Sequence, residues 1–167
     1  IYQAYHTSAN GLPLYSGTNE KKFKLFFLDI GLILNALDLS AEIILNEHLI
    51  LLNRGALAEQ FVGQELIAYA PNYKIASLYY WEREKTGSTA EIDYVINVDS
   101  NITPIEVKAG KSGRLKSLQV FLNEKKLNLG VQISQGQFKF ENRILTIPLY
   151  LIAELPRLVR EFHAKNI

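Results

Sequence analysis

The spacing of apolar residues changes along this chain, and that change most constrains its fold. Up to Pro71 and Asn72, apolar residues recur mainly at helical spacing. Beyond that point, short apolar runs alternate with Gly, Ser, Asn and Asp, which is typical of β-strands. Strands placed between helices in this order predict an α/β fold, with a mixed central sheet flanked by helices.

The same patterns predict the individual elements. Helices are predicted over 31–39, 41–52, 56–69, 115–127 and 150–162, and strands over 1–6, 23–28, 75–82, 92–98, 103–107, 129–134 and 143–147. A break is expected over residues 53–55, and Pro156 is expected to kink or restart the last helix.

The domain organisation is predicted from these elements. Residues 1–53 form an N-terminal connector with a short strand and helices, whose first 20 residues are polar and rich in turn formers. Residues 54–167 form the core with a C-terminal covering helix. Because the chain contains no Met, even at position 1, we expect a fragment of a longer protein.

Composition excludes several classes of function. The chain has 18 Lys and Arg against 17 Asp and Glu, so its net charge of +1 does not by itself indicate a nucleic-acid or membrane partner. The absence of Cys excludes disulfides, a thiol nucleophile and Cys-ligated zinc. No apolar run is long enough for a membrane span and the start is unlike a signal peptide, so a cytoplasmic location is expected.

Two neighbouring predicted strands carry the residues with candidate chemistry. Residues two apart in a strand share a face, so Glu106 and Lys108 point the same way while Ile105 and Val107 point into a core. A turn over residues 99–101 would bring Asp93 close to Glu106 and Lys108.

Two carboxylates and a lysine on one face suit hydrolysis of a phosphodiester bond with Mg²⁺ or Mn²⁺. The carboxylates offer the oxygen ligands that a hard cation prefers, and the ion activates water and neutralises phosphate charge. Lys108 can hold the phosphate or the attacking water as a point charge. The alternative is an exposed ion-pair cluster without function.

A third carboxylate lies on the predicted helix over 56–69. Glu59 shares a stripe with Val62, Leu66 and Ala70, and a charge on an apolar face is costly unless it is paired or bound to a metal. Glu65 is the second choice.

These residues resemble the PD-(D/E)XK nuclease superfamily, which includes Holliday-junction resolvases and restriction-type endonucleases. The resemblance lies in Gly55-Ala56-Leu57-Ala58-Glu59, Asp93 and Glu106-Val107-Lys108. Further stretches resemble the uncharacterised C-terminal domain that follows an AAA-type ATPase module in many bacterial and archaeal proteins: Lys24-Leu25-Phe26-Phe27-Leu28-Asp29-Ile30-Gly31-Leu32, Gly63-Gln64-Glu65-Leu66, Leu78-Tyr79-Tyr80-Trp81 and Glu91-Ile92-Asp93.

The resemblance implies a restriction-endonuclease-like core and a set of roles. Glu59, Asp93, Glu106 and Lys108 would be catalytic, and Asp93, Glu106 and the carbonyl of Val107 would bind the metal. An ATPase domain would precede this fragment, and ATP would bind only there. Ala109-Gly110-Lys111-Ser112 is not a P-loop, since Ile105 stands where its first Gly is required.

DNA is the expected substrate. Lys111, Arg114 and Lys116 follow the presumed site and can contact phosphates, or else form a solvated helix face. The leading hypothesis is Mg²⁺-dependent hydrolysis of a DNA phosphodiester bond. The alternatives are an inactive nuclease-fold module that binds DNA or protein and regulates the ATPase, and a pure assembly domain. A homo-oligomer is compatible with each, and no membrane partner is expected.

Overall fold

The computed structural model describes residues 1–36, 38, 47–73, 75–84, 90–110 and 115–165. The α-helices in these ranges are α1 (Ile30–Ala36), α2 (Glu47–Ala68), α3 (Lys116–Lys125) and α4 (Leu155–Lys165). Short 3₁₀ helices occupy Leu14–Gly17 and Leu149–Glu154. The strands are β1 (Tyr2–Thr7), β2 (Thr18–Phe26), β3 (Leu78–Glu82), β4 (Glu91–Ile92), β5 (Tyr94–Val98), β6 (Asn101–Val107), β7 (Gly130–Ser134), β8 (Lys139–Glu141) and β9 (Ile144–Pro148).

The strands form two mixed sheets. The first has the order β2-β1-β3-β4, with β1 parallel to β3 and the other pairs antiparallel. The second has the order β5-β6-β7-β9-β8, in which β6, β7 and β9 are mutually parallel. The predicted α/β class with mixed strand directions is confirmed, although the strands are divided between two sheets. The chain passes from one sheet to the other at Asp93, between β4 and β5.

Helices cover both faces of the second sheet. Residues of α2 and α4, among them Val62 and Val159, share one core with Ile105 and Val107 of β6. The opposite face packs on α3, whose apolar side chains pack with Trp81. The spacing of Leu115, Leu118, Phe121 and Leu122 predicts that they share one helix face. The last three are buried, whereas Leu115 directly precedes α3 and is partly buried.

The helix boundaries differ from the prediction most clearly at residues 53–55. The break expected over residues 53–55 is wrong, since α2 runs continuously from Glu47 to Ala68. A single glycine costs a helix only about 1 kcal/mol, and the packing of the following turns outweighs that cost. Residues 41–46, with which the helix predicted over 41–52 would begin, lie outside the described residues.

The N-terminal region contains more regular structure than its polar sequence predicts. The strand expected over 1–6 is present, and the one expected over 23–28 begins earlier, at Thr18. β8 was not predicted, because its three exposed residues carry no apolar alternation. Pro156 does restart the last helix: it lies in the first turn of α4, directly after a 3₁₀ segment.

None of the helices in the described ranges combines the length and the apolar character that crossing a membrane requires.

Candidate functional site

Asp93 and Glu106 meet where the two sheets join. β5 and β6 form the predicted antiparallel pair, in which Tyr94 lies opposite Ile105. Continuing that register by one residue places Asp93 opposite Glu106. The Asp93 carboxylate is anchored there, because its Oδ2 accepts a hydrogen bond of 2.7 Å from the backbone N–H of Val107.

Glu106 is a buried carboxylate whose two oxygens differ in their hydrogen bonding to the described residues. Glu106 is only 5% exposed to solvent. Oε1 accepts a hydrogen bond of 2.5 Å from Nζ of Lys108, as expected for residues on one strand face. Oε2 is buried and has no hydrogen-bond partner within the described residues. A buried acceptor without a donor is costly, so this oxygen needs a proton or a cation.

Glu59 approaches the same cluster from α2. Burial raises its pKa to about 7, and the nearby Asp93 carboxylate adds to that effect. The backbone carbonyl of Glu59 accepts a hydrogen bond of 2.8 Å from the Tyr94 hydroxyl, which ties α2 to the residue after Asp93. The structure therefore brings together the four residues predicted as catalytic. Glu65, the second choice on this helix, acts instead on Tyr69, because its charge adds to the burial that raises the pKa of the Tyr69 hydroxyl.

The other two acids are perturbed in the same direction. Burial, reinforced by Asp93, raises the pKa of Glu106 to about 7 despite its bond to Lys108. Burial also raises the pKa of Asp93, although the Val107 amide and two lysines oppose it. Burial disfavours the charge on Lys108, but its bond to Glu106 and the surrounding carboxylates outweigh burial and raise its pKa. Burial is thus the main reason why all three acids favour their neutral form.

Lys24 is a member of the cluster that the sequence analysis missed. Its Nζ forms an ion pair with Glu91 and lies 4.9 Å from the ring centre of Tyr80. Burial disfavours its charge, yet the bond to Glu91 and the charges of Glu91 and Asp93 raise its pKa. Its partner is 67 residues away along the chain, so no local pattern could have indicated the pair.

Two buried polar residues extend the site across the second sheet. Gln132 lies opposite Glu106, and Thr146 lies opposite Gln132, so the three residues share one face of neighbouring parallel strands. The Thr146 hydroxyl donates a hydrogen bond of 3.1 Å to Oε1 of Gln132. Polar residues inside two otherwise apolar strand runs were the available sequence signal.

The acid pair has the chemistry to hold a divalent cation. Hard cations take carboxylate and carbonyl oxygens and retain waters, and the unpaired Oε2 of Glu106 is such a ligand. Within the described residues, no three His, Cys, Asp or Glu side chains lie close enough to hold an ion by themselves. An ion at Asp93 and Glu106 would therefore need further oxygens, and the Val107 carbonyl is the one implied above.

The predicted nucleic-acid contacts are only partly described. Lys111 and Arg114 lie outside the described residues. Lys116 is exposed and begins α3. The hydroxyl of the next residue, Ser117, accepts a hydrogen bond of 3.4 Å from the backbone N–H of Glu91. The start of α3 therefore lies beside the acidic cluster.

A protein-family model described as "Domain of unknown function (DUF4143)" matches residues 54–152. That range includes Glu59, Asp93, Glu106 and Lys108. No curated protein and no solved structure matches the chain.

Proposed function

Because the chain belongs to the DUF4143 family, whose description assigns no activity, we propose a function from the site itself: metal-dependent hydrolysis of a DNA phosphodiester bond. One observation carries the proposal. The anchored carboxylate of Asp93 faces a buried Glu106, one of whose oxygens has no partner in the described part of the chain, and Lys108 lies beside them. A restriction-endonuclease-like arrangement of the core is part of the same proposal.

Asp93, Glu106 and the Val107 carbonyl would hold Mg²⁺ or Mn²⁺. Bound there, the ion supplies neutralisation of phosphate charge and a lowered pKa of water. The anchoring of Asp93 by the Val107 amide holds one ligand in place before any ion arrives, so little reorganisation is needed. The pKa values of the three acids are raised mainly because burial disfavours their charged forms, and a bound cation would lower these pKa values.

Two further side chains have roles of their own. The Lys108 ammonium can turn from Glu106 to donate a hydrogen bond to a phosphate oxygen or to the attacking water. Glu59, whose pKa is about 7, can accept a proton at its carboxylate near neutral pH, where a general base is most effective. Glu59 thus orients the water or takes its proton.

The choice of DNA rests on charge and on the resemblance to nucleases. Lys116, at the start of α3 beside Glu91, can contact a phosphate of a strand that reaches the acid pair. An AAA-type ATPase domain upstream of this chain is the proposed partner, and ATP would act only through it.

The decisive experiment is a titration of the purified protein with Mn²⁺, in which binding is measured by calorimetry. We expect saturable binding of one or two ions in the wild type, and its loss in Asp93→Asn and Glu106→Gln. Matched controls are Asp99→Asn and Glu141→Gln, which change exposed acids away from the site and should retain binding. Mg²⁺-dependent nicking of DNA should then disappear in the two site variants only. Absent binding, or binding unchanged in the site variants, would overturn the proposal in favour of a non-cleaving module that regulates the ATPase.

A further inference from the structure

A cleft of about 450 Å³ lies beside the acidic cluster. Three of the residues that line it, Lys108, Gln135 and Leu149, directly follow β6, β7 and β9. These strands are mutually parallel, so the cleft lies at their carboxyl ends. In open α/β sheets this is the place where ligands bind.

The walls of the cleft are largely apolar. Leu57, Ala58 and Phe61 line it from α2. Leu57 and Phe61 are four residues apart and therefore share one helix face. The polar side chains are the ammonium of Lys108 and the exposed carboxamide of Gln135, which can both donate and accept hydrogen bonds. A mostly apolar cleft with a few polar groups is typical of a small-molecule site.

Lys108 belongs to both the cleft and the acidic cluster, because its Nζ also contacts Glu106 at 2.5 Å. A ligand that reaches both would place a phosphate at Lys108 and a flat, largely apolar group against apolar lining residues such as Phe61 and Leu149. A nucleotide has this construction, since its base offers apolar faces, a polar edge for Gln135 and an attached phosphate.

We propose that the cleft binds a nucleobase of the DNA strand, next to the phosphate held at Lys108. This inference rests on the proposed function and names its substrate class. A base inside a duplex is stacked on both faces and cannot enter the cleft. The substrate is therefore DNA that offers an unpaired or extruded nucleotide, such as a single strand, a branch or a flap.

The test compares two fluorescein-labelled oligomers with equal charge in metal-free buffer with EDTA. One is a five-residue oligothymidylate, and the other has five abasic tetrahydrofuran units. Stacking of one base adds enough binding energy for about tenfold tighter binding, so the wild type should prefer the first oligomer by about tenfold in fluorescence anisotropy. Equal affinities, or no binding of either oligomer, would overturn the proposal.

Ala58→Trp fills the cleft and should abolish the preference, so that the two oligomers bind with equal affinity. The matched control is Ala76→Trp, which fills a second cleft of about 550 Å³ that Lys108 does not line. It should retain the preference. Because Ala58 packs on the core and its variant can misfold, Gln135→Ala at an exposed position is a second probe. It should reduce the preference for the thymidylate oligomer about threefold.

A parallel Mn²⁺ titration separates this inference from the proposed function. Metal binding together with equal oligomer affinities rejects the nucleobase cleft alone. A base preference that Ala58→Trp removes, in a protein that binds no Mn²⁺, supports the cleft and rejects metal-dependent hydrolysis.

Discussion

The hydroxyl of Tyr94 donates a hydrogen bond of 2.8 Å to the backbone carbonyl of Glu59. The Tyr94 ring also packs on Phe26 at the end of β2, with ring centres 5.6 Å apart. The buried side chain of Tyr94, which directly follows Asp93, thus connects β5 to two other elements. These are α2, which carries Glu59, and β2, which carries Lys24. The site depends on this junction.

Gly63 leaves room for Tyr94, and this gives a first prediction. A Cβ at Gly63 would lie 2.5 Å from the Tyr94 hydroxyl oxygen, so Gly63→Ala must displace the ring. We expect a loss of about 1–3 kcal/mol in the free energy of unfolding, measured with urea.

Gly55→Ala is the matched control in the same helix. A Cβ there meets nothing within 4 Å, so the better helix propensity of Ala should stabilise the protein by about 0.5–1 kcal/mol. Equal stability of Gly63→Ala and wild type would show that Tyr94 is not held as described.

The raised acid pKa values predict that stability depends on pH. In the metal-free protein Glu59 and Glu106 have pKa values of about 7, above the ordinary 4.5, so the folded state binds more protons between these values. The free energy of unfolding should therefore fall as pH rises from about 4.5 to beyond 7. Asp93 acts in the same direction, whereas Lys24 and Lys108 act only near their own, higher pKa values.

Glu106→Gln keeps this side chain neutral at every pH and should flatten that dependence. We compare the free energy of unfolding of the variant with that of the wild type at both pH values, by thermal or urea unfolding. From pH 5 to pH 8 this difference should shift in favour of the variant by on the order of 2 kcal/mol. Glu141→Gln on β8 is the control and should leave the slope unchanged. A wild-type protein that is more stable at pH 8 than at pH 5 in EDTA would contradict the prediction.

A divalent cation should reverse the loss of stability at high pH. An ion bound only to the folded state adds about 2.7 kcal/mol at a concentration of 100 times Kd. At pH 8, Mn²⁺ should therefore raise the Tm of the wild type. At about pH 7, where the raised pKa leaves Glu106 partly protonated, Mn²⁺ binding should also release protons that are measurable in a weakly buffered solution. Neither effect should occur in Glu106→Gln. A rise in Tm that is equal in both proteins would place the ion elsewhere.

Lys24 and Lys22 form a matched pair for testing the electrostatics of the site. Both extend from β2, but Lys22 pairs with Glu82 and Glu84, whereas Lys24 acts on Asp93 and Glu59. Removing a cation next to a metal site strengthens cation binding, so Lys24→Gln should bind Mn²⁺ about two- to fivefold more tightly. Lys22→Gln should bind Mn²⁺ as the wild type does. Weaker Mn²⁺ binding in Lys24→Gln would show that the lysine instead organises the site.

Much of the second sheet follows from local patterns. Alternation along β6 predicted that Ile105 and Val107 would enter a core while Glu106 and Lys108 shared the other face, and both the core packing and the Lys108–Glu106 contact agree. The turn after β5 and the buried face of α3 were likewise predicted from short stretches of sequence. In each case the spacing of residues within one element determines where its side chains point.

Other features depend on which elements meet. Lys24 reaches Glu91 because β1 pairs with both β2 and β3, and Gln132 joins Glu106 because β7 lies parallel to β6. The continuity of α2 through Gly55 also reflects packing rather than propensity.

The sequence by itself therefore determined the α/β class, most of the elements and the shared face of Glu106 and Lys108. Only the tertiary structure decided that the strands divide into two sheets at Asp93, that Lys24 joins the predicted acids, and that a cleft opens at Lys108. The physical reason is that periodicity sets the direction of side chains within an element. The pairing of strands far apart in the chain, together with burial, sets which side chains meet and how strongly their charges interact.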